Sequence, residues 1–249
     1  CFSSSLCIYF DQKLIFVPFF IFTNIMILKF DNKIKFIALA FFIIFAIPYL
    51  YLIYIWGSII PPLAASAREV GQKINLYHIG YCLTIIGFYI APLILFKNIN
   101  FLEIKKKLLS KNFFRLTIIF FIYIFLLIFL GDFKNLSNDG KGLFHKLFII
   151  IFENNNLRLV LTFVFFYLGL KLIYIFCEKK EDVFIILYLL ILSLLTFPFY
   201  QEYLDPLIYI LAFTFFNTKL NLNFKKTYFM ICYFLIFSLG SKLYYNIIL

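Results

Sequence analysis

The side chains able to do chemistry fall in a few short polar stretches between long apolar runs. Arg68 and Glu69, with Lys73 close behind, follow Trp56-Gly57-Ser58-Ile59-Ile60-Pro61-Pro62. A guanidinium pairs bidentately with phosphate, so Arg68 could grip a lipid-linked phosphate whose tail stays in the bilayer. An exposed ion pair on a rim helix is the plainer alternative. His145 and Lys146 could also touch a phosphate, although snorkelling explains them equally well. The corner Tyr200-Gln201-Glu202-Tyr203-Leu204-Asp205-Pro206 packs polar and acidic groups between two short apolar runs. It reads either as a pocket wall or as hairpin chemistry with Asp205-Pro206 opening the next helix. His78 sits beside Tyr77 at the start of an apolar run, where an interfacial position is expected. Two isolated histidines without a carboxylate cluster make no metal site. Asp132 and Asp139 suit turns, and Asp11-Gln12-Lys13 suits a tight hairpin or a group reaching into a cavity. No glycine-rich phosphate loop, Ser-His-Asp order or HExxH is present, which leaves soluble-enzyme catalysis without support.

These stretches are held by hydrophobic scaffold. The 249 residues are 64% hydrophobic with a mean hydropathy of +0.99. A soluble domain of that composition would have a largely apolar surface. A bilayer span needs about 20 apolar residues, fewer when its ends snorkel. The expected fold is therefore all-α, a polytopic transmembrane helix bundle in a single domain over 1–249. It has about eight spans, near 14–28, 36–56, 77–96, 113–130, 159–176, 183–198, 203–216 and 228–248. The sixth and seventh are short, with Pro198 and Pro206 flanking their junction, so that pair could instead be a re-entrant hairpin. The prolines after Trp56 stop a helix, and a small interfacial helix is expected over 64–69. Another is expected over 143–152, an apolar stripe broken by His145 and Lys146.

The 38 Phe and 18 Tyr, with abundant Ile, Lys and Asn, resemble the codon bias of an AT-rich genome more than a sugar-stacking surface. The net charge of +11 would suggest nucleic acid in a soluble protein. Here the basic residues belong to loops. Lys29, Lys33, Lys35, Lys97, Lys105, Lys106, Lys107, Lys111, Arg115, Lys179, Lys180, Lys219, Lys225 and Lys226 fall on one side. They outnumber those opposite, so the positive-inside bias puts the first set in the cytoplasm. Lys171 lies within a span, close enough to its basic end to snorkel. The outer side then receives the loop 56–75, the long loop 131–157 and the corner 200–205. Cys1, Cys7, Cys82, Cys177 and Cys232 lack zinc or thioredoxin-like spacing and read as small apolar residues. Because the chain starts at Cys1 rather than Met, an N-terminal part is expected to be missing.

The ordered pattern resembles GT-C-type membrane glycosyltransferases, multi-span enzymes that use polyprenyl-phosphate-linked sugars. Trp56-Gly57-x-x-x-Pro61-Pro62 is similar to their W-G-G-hydrophobic-x-P-P loop, with Ser58 replacing the second glycine. Asn75 and the later Ala91-Pro92 look like the same region. Gly140-Lys141-Gly142-Leu143-Phe144-His145-Lys146-Leu147 resembles a glycine-rich outer segment entering an amphipathic helix. Gln201-Glu202-Tyr203-Leu204-Asp205-Pro206 resembles a Q-x-Y-x-x-P corner. Asp11-Gln12 stands where Arg-Gln is the family's pattern, and the first outer loop carrying the catalytic acids has no counterpart.

The resemblance implies a C-terminal fragment lacking its general base, so no catalytic residue is assigned. It implies acceptor deprotonation by a carboxylate and displacement at the anomeric carbon, with polyprenyl phosphate leaving. The partners would be a polyprenyl-phosphate-linked sugar, membrane lipid and a glycan, lipid or protein acceptor for a cell-envelope glycan. No cofactor is implied, and a metal is not uniformly required. Arg68, Glu69, Lys73, His145 and Lys146 would meet the donor phosphate, while Gln201, Glu202, Tyr203 and Asp205 would line a substrate pocket. The expected location is the bacterial inner membrane, active face in the periplasm. A transporter or flippase for a lipid-linked glycan, or a non-catalytic membrane scaffold, is the alternative.

Overall fold

The computed structural model describes residues 21–22, 25–26, 30–57, 75–97, 99–130, 141–195, 201, 204–205, 207–221 and 223–248. All regular structure among them is helical. The elements are α1 (Asn32–Trp56), α2 (Tyr77–Ile94, continued by a tighter turn Leu95–Lys97), α3 (Phe101–Leu108) and α4 (Lys111–Leu130). Then come α5 (Leu143–Ile151), α6 (Asn155–Phe176), α7 (Lys180–Leu195), α8 (Leu207–Thr214) and α9 (Phe224–Ile248). The chain divides into two compact units, Cys1–Ile74 with Phe184–Phe197, and Asn75–Val183 with Pro198–Leu249.

Among the described residues, four helices are long and apolar enough to cross a membrane: Asn32–Trp56, Tyr77–Lys97, Lys111–Phe129 and Asn155–Phe176. The expected count of about eight is not reached among the described residues. α7 has 16 residues and α8 only 8, so α8 is about 12 Å long against a hydrocarbon core of about 30 Å. Expected span 14–28 lies mostly outside the described residues, as do the rim helix over 64–69, Asp11–Lys13, Asp132 and Asp139.

In the first unit, α1 buries only Ala38 and Tyr49 and exposes apolar side chains along its length, as a lipid-facing helix does. It ends where Gly57 takes a left-handed conformation (φ 63°) and donates its N–H to the Tyr54 carbonyl at 3.4 Å. That terminus satisfies an otherwise orphaned carbonyl.

The second unit is built on α2, which is buried along most of its length. α2 and α6 meet through small residues. A Cβ on Gly87 would lie 2.6 Å from the Gly169 Cα, and one on Gly169 would lie 2.6 Å from the Leu83 carbonyl carbon. Close backbone approach through glycine is the packing expected where lipid supplies no hydrophobic drive between helices. α4 runs antiparallel to both. Tyr77 OH donates to the Leu127 carbonyl at 3.4 Å, and Phe113 packs at a tilt against Tyr174 while Phe120 does so against Tyr167. Tyr123 accepts the Gly80 N–H at 3.0 Å and donates to the Leu76 carbonyl at 2.8 Å, fixing the first turn of α2. His78, in the same turn, is 2% exposed.

The far end of α6 is closed by cations. Lys97 Nζ donates to the carbonyls of Ile175 (3.0 Å) and Phe176 (2.6 Å) and pairs with Glu178 at 3.1 Å. Lys107 Nζ donates to Ile175 (3.0 Å) and Cys177 (2.6 Å), and Thr218 to Phe176 at 3.1 Å. Orphan carbonyls and the negative end of the dipole are thereby answered. Burial first, then the charge of Lys97, lowers the Lys107 pKa. Asp182, with no exposed surface, accepts from the backbone of Glu178 (3.0 Å), Lys179 (3.2 Å) and Asn217 (2.8 Å). Its bond to Asn217 ties the start of α7 to the chain that follows α8.

Candidate functional site

Along α2, Ile85 lies eight residues past Tyr77 and twelve before Lys97, about 12 and about 18 Å along the axis. The start of α5 reaches this level. A Cβ on Gly142 would meet Ile85 Cγ1 at 3.0 Å and Gln201 Oε1 at 3.3 Å. The helix expected over 143–152 is present as α5, and its start lies beside Ile85 of α2. α5 begins beside the middle of a candidate span and ends near Arg158, whose guanidinium donates to Phe152 and to Ile149 (3.2 Å). Backbone geometry explains the entry: Lys141 has φ 65° and Gly142 has φ 82°, so the chain turns sharply before Leu143. Glycine adopts such angles without a Cβ clash.

Gln201 holds the entry in place. Its Oε1 accepts the Leu143 N–H at 3.0 Å, and its Nε2 donates to Tyr89 OH at 3.1 Å. One amide thus caps an orphan donor of α5 and fastens it to α2. Tyr89 is twelve residues from Tyr77 and eight from Lys97. Gln201, a residue of the expected corner, therefore reaches α2 through a side chain one turn past Ile85. Leu204 N–H bonds to the Gln201 carbonyl at 3.0 Å, forming the turn, and Tyr209 OH donates to the Tyr89 carbonyl at 3.2 Å. Asp205 is exposed and within electrostatic reach of the Tyr89 and Tyr209 hydroxyls.

Between α2, α5 and α6 lies a small cavity with room for a water-sized occupant, lined by Tyr81, Thr84, Lys141, Phe144, His145, Phe148, Thr162, Phe165 and Phe166. His145 is 9% exposed. Its Nδ1 lies 3.3 Å from Tyr81 OH, and its Nε2 has no hydrogen-bond partner among the described residues. When Tyr81 donates to Nδ1, Nε2 carries the proton and becomes a donor; the other tautomer makes it an acceptor. Burial, then the positive charges of Lys141, Arg158 and Lys146, push the imidazole pKa down to about 4. His145 is hence neutral at pH 7, and any contact with a phosphate would be a neutral hydrogen bond rather than an ion pair.

Lys141 supplies the positive charge beside it. It is 7% exposed, with Nζ 5.9 Å from the centre of the Tyr81 ring. In the sequence Lys141 stood only within the glycine-rich segment and was not named a site residue; its position between two glycines, where a positive φ can carry it inward, was the available signal. Thr84 and Thr162 were also missed, each bonding back to its own helix at Gly80 (3.1 Å) and Arg158 (2.8 Å). Lys146, one residue past His145, is half-buried on α5. His145 and Gln201 are thus brought to one end of α5, with Asp205 in the adjoining turn. Arg68, Glu69, Lys73, Glu202 and Tyr203 lie outside the described residues. Among the described residues, no three His, Cys, Asp or Glu side chains gather as metal ligands would.

No family model matches this chain, and comparison with curated proteins and with solved structures gives no match.

Proposed function

We propose that this chain works in the membrane as a glycosyltransferase that moves a sugar from a polyprenyl-phosphate donor to an acceptor on the outer side. One observation carries the reading. The Gln201 amide binds both the first amide of α5 and Tyr89, so the glycine-rich segment and the Q-E-Y-L-D-P corner, 58 residues apart, are neighbours. Lys141 and neutral His145 stand at the same junction, where an ammonium and a hydrogen-bond donor would favour charge developing on a leaving phosphate. Arg68, Glu69 and Lys73 would complete the phosphate contacts, and Glu202, Tyr203 and Asp205 the substrate wall. Lys146 is a weaker member, further along the helix. In the proposed reaction a carboxylate takes the acceptor hydroxyl proton, the oxygen bonds to the anomeric carbon, and the bond to polyprenyl phosphate breaks. The full bundle of about eight spans, and the bacterial inner membrane with a periplasmic active face, belong to the same proposal.

Transport of a lipid-linked glycan is the second reading. It is favoured by α5 starting beside the middle of α2, since transporter sites gather at half-helix N-termini within the membrane. Membranes carrying the intact protein, given radiolabelled polyprenyl-phosphate sugar, separate the two. Transfer of label that falls at least about a hundredfold in Lys141→Ala and Arg68→Ala supports the enzyme. Movement of intact donor across proteoliposomes without transfer would replace it with the transporter.

A further inference from the structure

The corner between α3 and α4 combines exposed apolar and basic side chains. α3 has 8 residues, about 12 Å, and cannot cross a bilayer. Its Phe101 and Leu102 are 78% and 77% exposed, a state that water disfavours for adjacent large apolar side chains. Beside them Lys105, Lys106, Lys111 and Arg115 are all exposed, and Glu103 is the one acidic residue within α3 and α4. The basic run is divided by its packing: Lys107 turns inward to the carbonyls of α6, leaving Lys105 and Lys106 on the outside. The corner is also held in one geometry. Ser110 Oγ lies 2.9 Å from Tyr174 OH and accepts the Phe113 N–H at 3.3 Å.

From this we infer that the α3–α4 corner is a binding surface for anionic phospholipid headgroups. Lys111 opens α4, a candidate membrane span whose Phe114, Ile119 and Phe121 are more than half exposed. Lipid chains covering those residues put headgroups at the level of Lys111 and Arg115. α3 then lies along the surface, with Phe101 and Leu102 dipping among the chains and Lys105 and Lys106 meeting phosphates. The occupant is a lipid rather than a soluble acidic protein because the apolar and basic residues continue without a break into the span.

The test is native mass spectrometry of the detergent-purified full chain titrated with phosphatidylglycerol or phosphatidylcholine, with no sugar donor present. The wild type is expected to retain phosphatidylglycerol severalfold better, with the preference fading at 0.5 M salt. Each of Lys105→Gln and Lys106→Gln should lower that preference by up to about fivefold at low salt. The combined variant K105Q/K106Q/K111Q/R115Q should abolish it. Equal retention of both lipids by the wild type would overturn the inference. So would an unchanged preference in folded single variants, which keeps the test decisive should the combined variant not fold.

Discussion

His145 gives the sharpest prediction. Its folded pKa is about 4, against an ordinary 6.5, chiefly because burial disfavours the charged ring. Between those values the unfolded chain binds a proton that the folded chain refuses. Stability therefore rises with pH through this window and is lost as pH falls. Moving from pH 7 to pH 5 should remove roughly 2 kcal/mol through this group alone. Carboxylates and other groups titrate as well, so the informative quantity is the difference between wild type and His145→Gln, which keeps a polar side chain but cannot titrate. Reversible unfolding in mixed micelles, followed by circular dichroism at both pH values, measures it. The wild type should lose roughly 2 kcal/mol more than the variant. Parallel losses would refute the placement of a neutral, buried imidazole between α2, α5 and α6.

Other consequences follow from the same packing. Gly87→Ala forces a Cβ against the Gly169 backbone, which cannot swing aside, and should destabilise by about 1–3 kcal/mol in thermal unfolding. Gly240→Ala, with nothing within 4 Å, should instead be neutral or stabilise α9 by up to about 1 kcal/mol. Asp182→Ala removes the acceptor shared by three backbone amides, and a loss of about 2–4 kcal/mol is expected, with faster hydrogen exchange at Asn217. Gln201→Ala frees the Leu143 amide. Exchange at the start of α5 should speed up at least about tenfold, and sugar transfer should fall with it; unchanged exchange would show that Gln201 does not hold the helix.

Much of the scaffold was legible in the sequence because membrane helices announce themselves through long apolar runs. The runs at 36–56, 77–96, 113–130 and 159–176 each became a helix able to cross, with ends shifted by a few residues. Composition determined that outcome: with no water available, the backbone of such a run must satisfy its own hydrogen bonds. Tertiary contacts alone decided the rest. Apolarity could not distinguish a crossing helix from the 8 residues of α8, since both read as hydrophobic. Lys97 and Lys107 looked like loop charges, yet they close α6, because only the fold brings its carbonyl end to them. Lys141 stood out only as one member of a glycine-rich segment, and the φ angles of 65° and 82° turn it inward beside His145. The meeting of Gln201 with the start of α5 has no local signature at all. It needs α2 to present Ile85 and Tyr89, one turn apart on the same face, to the start of α5, and long-range packing sets that meeting while residue type does not.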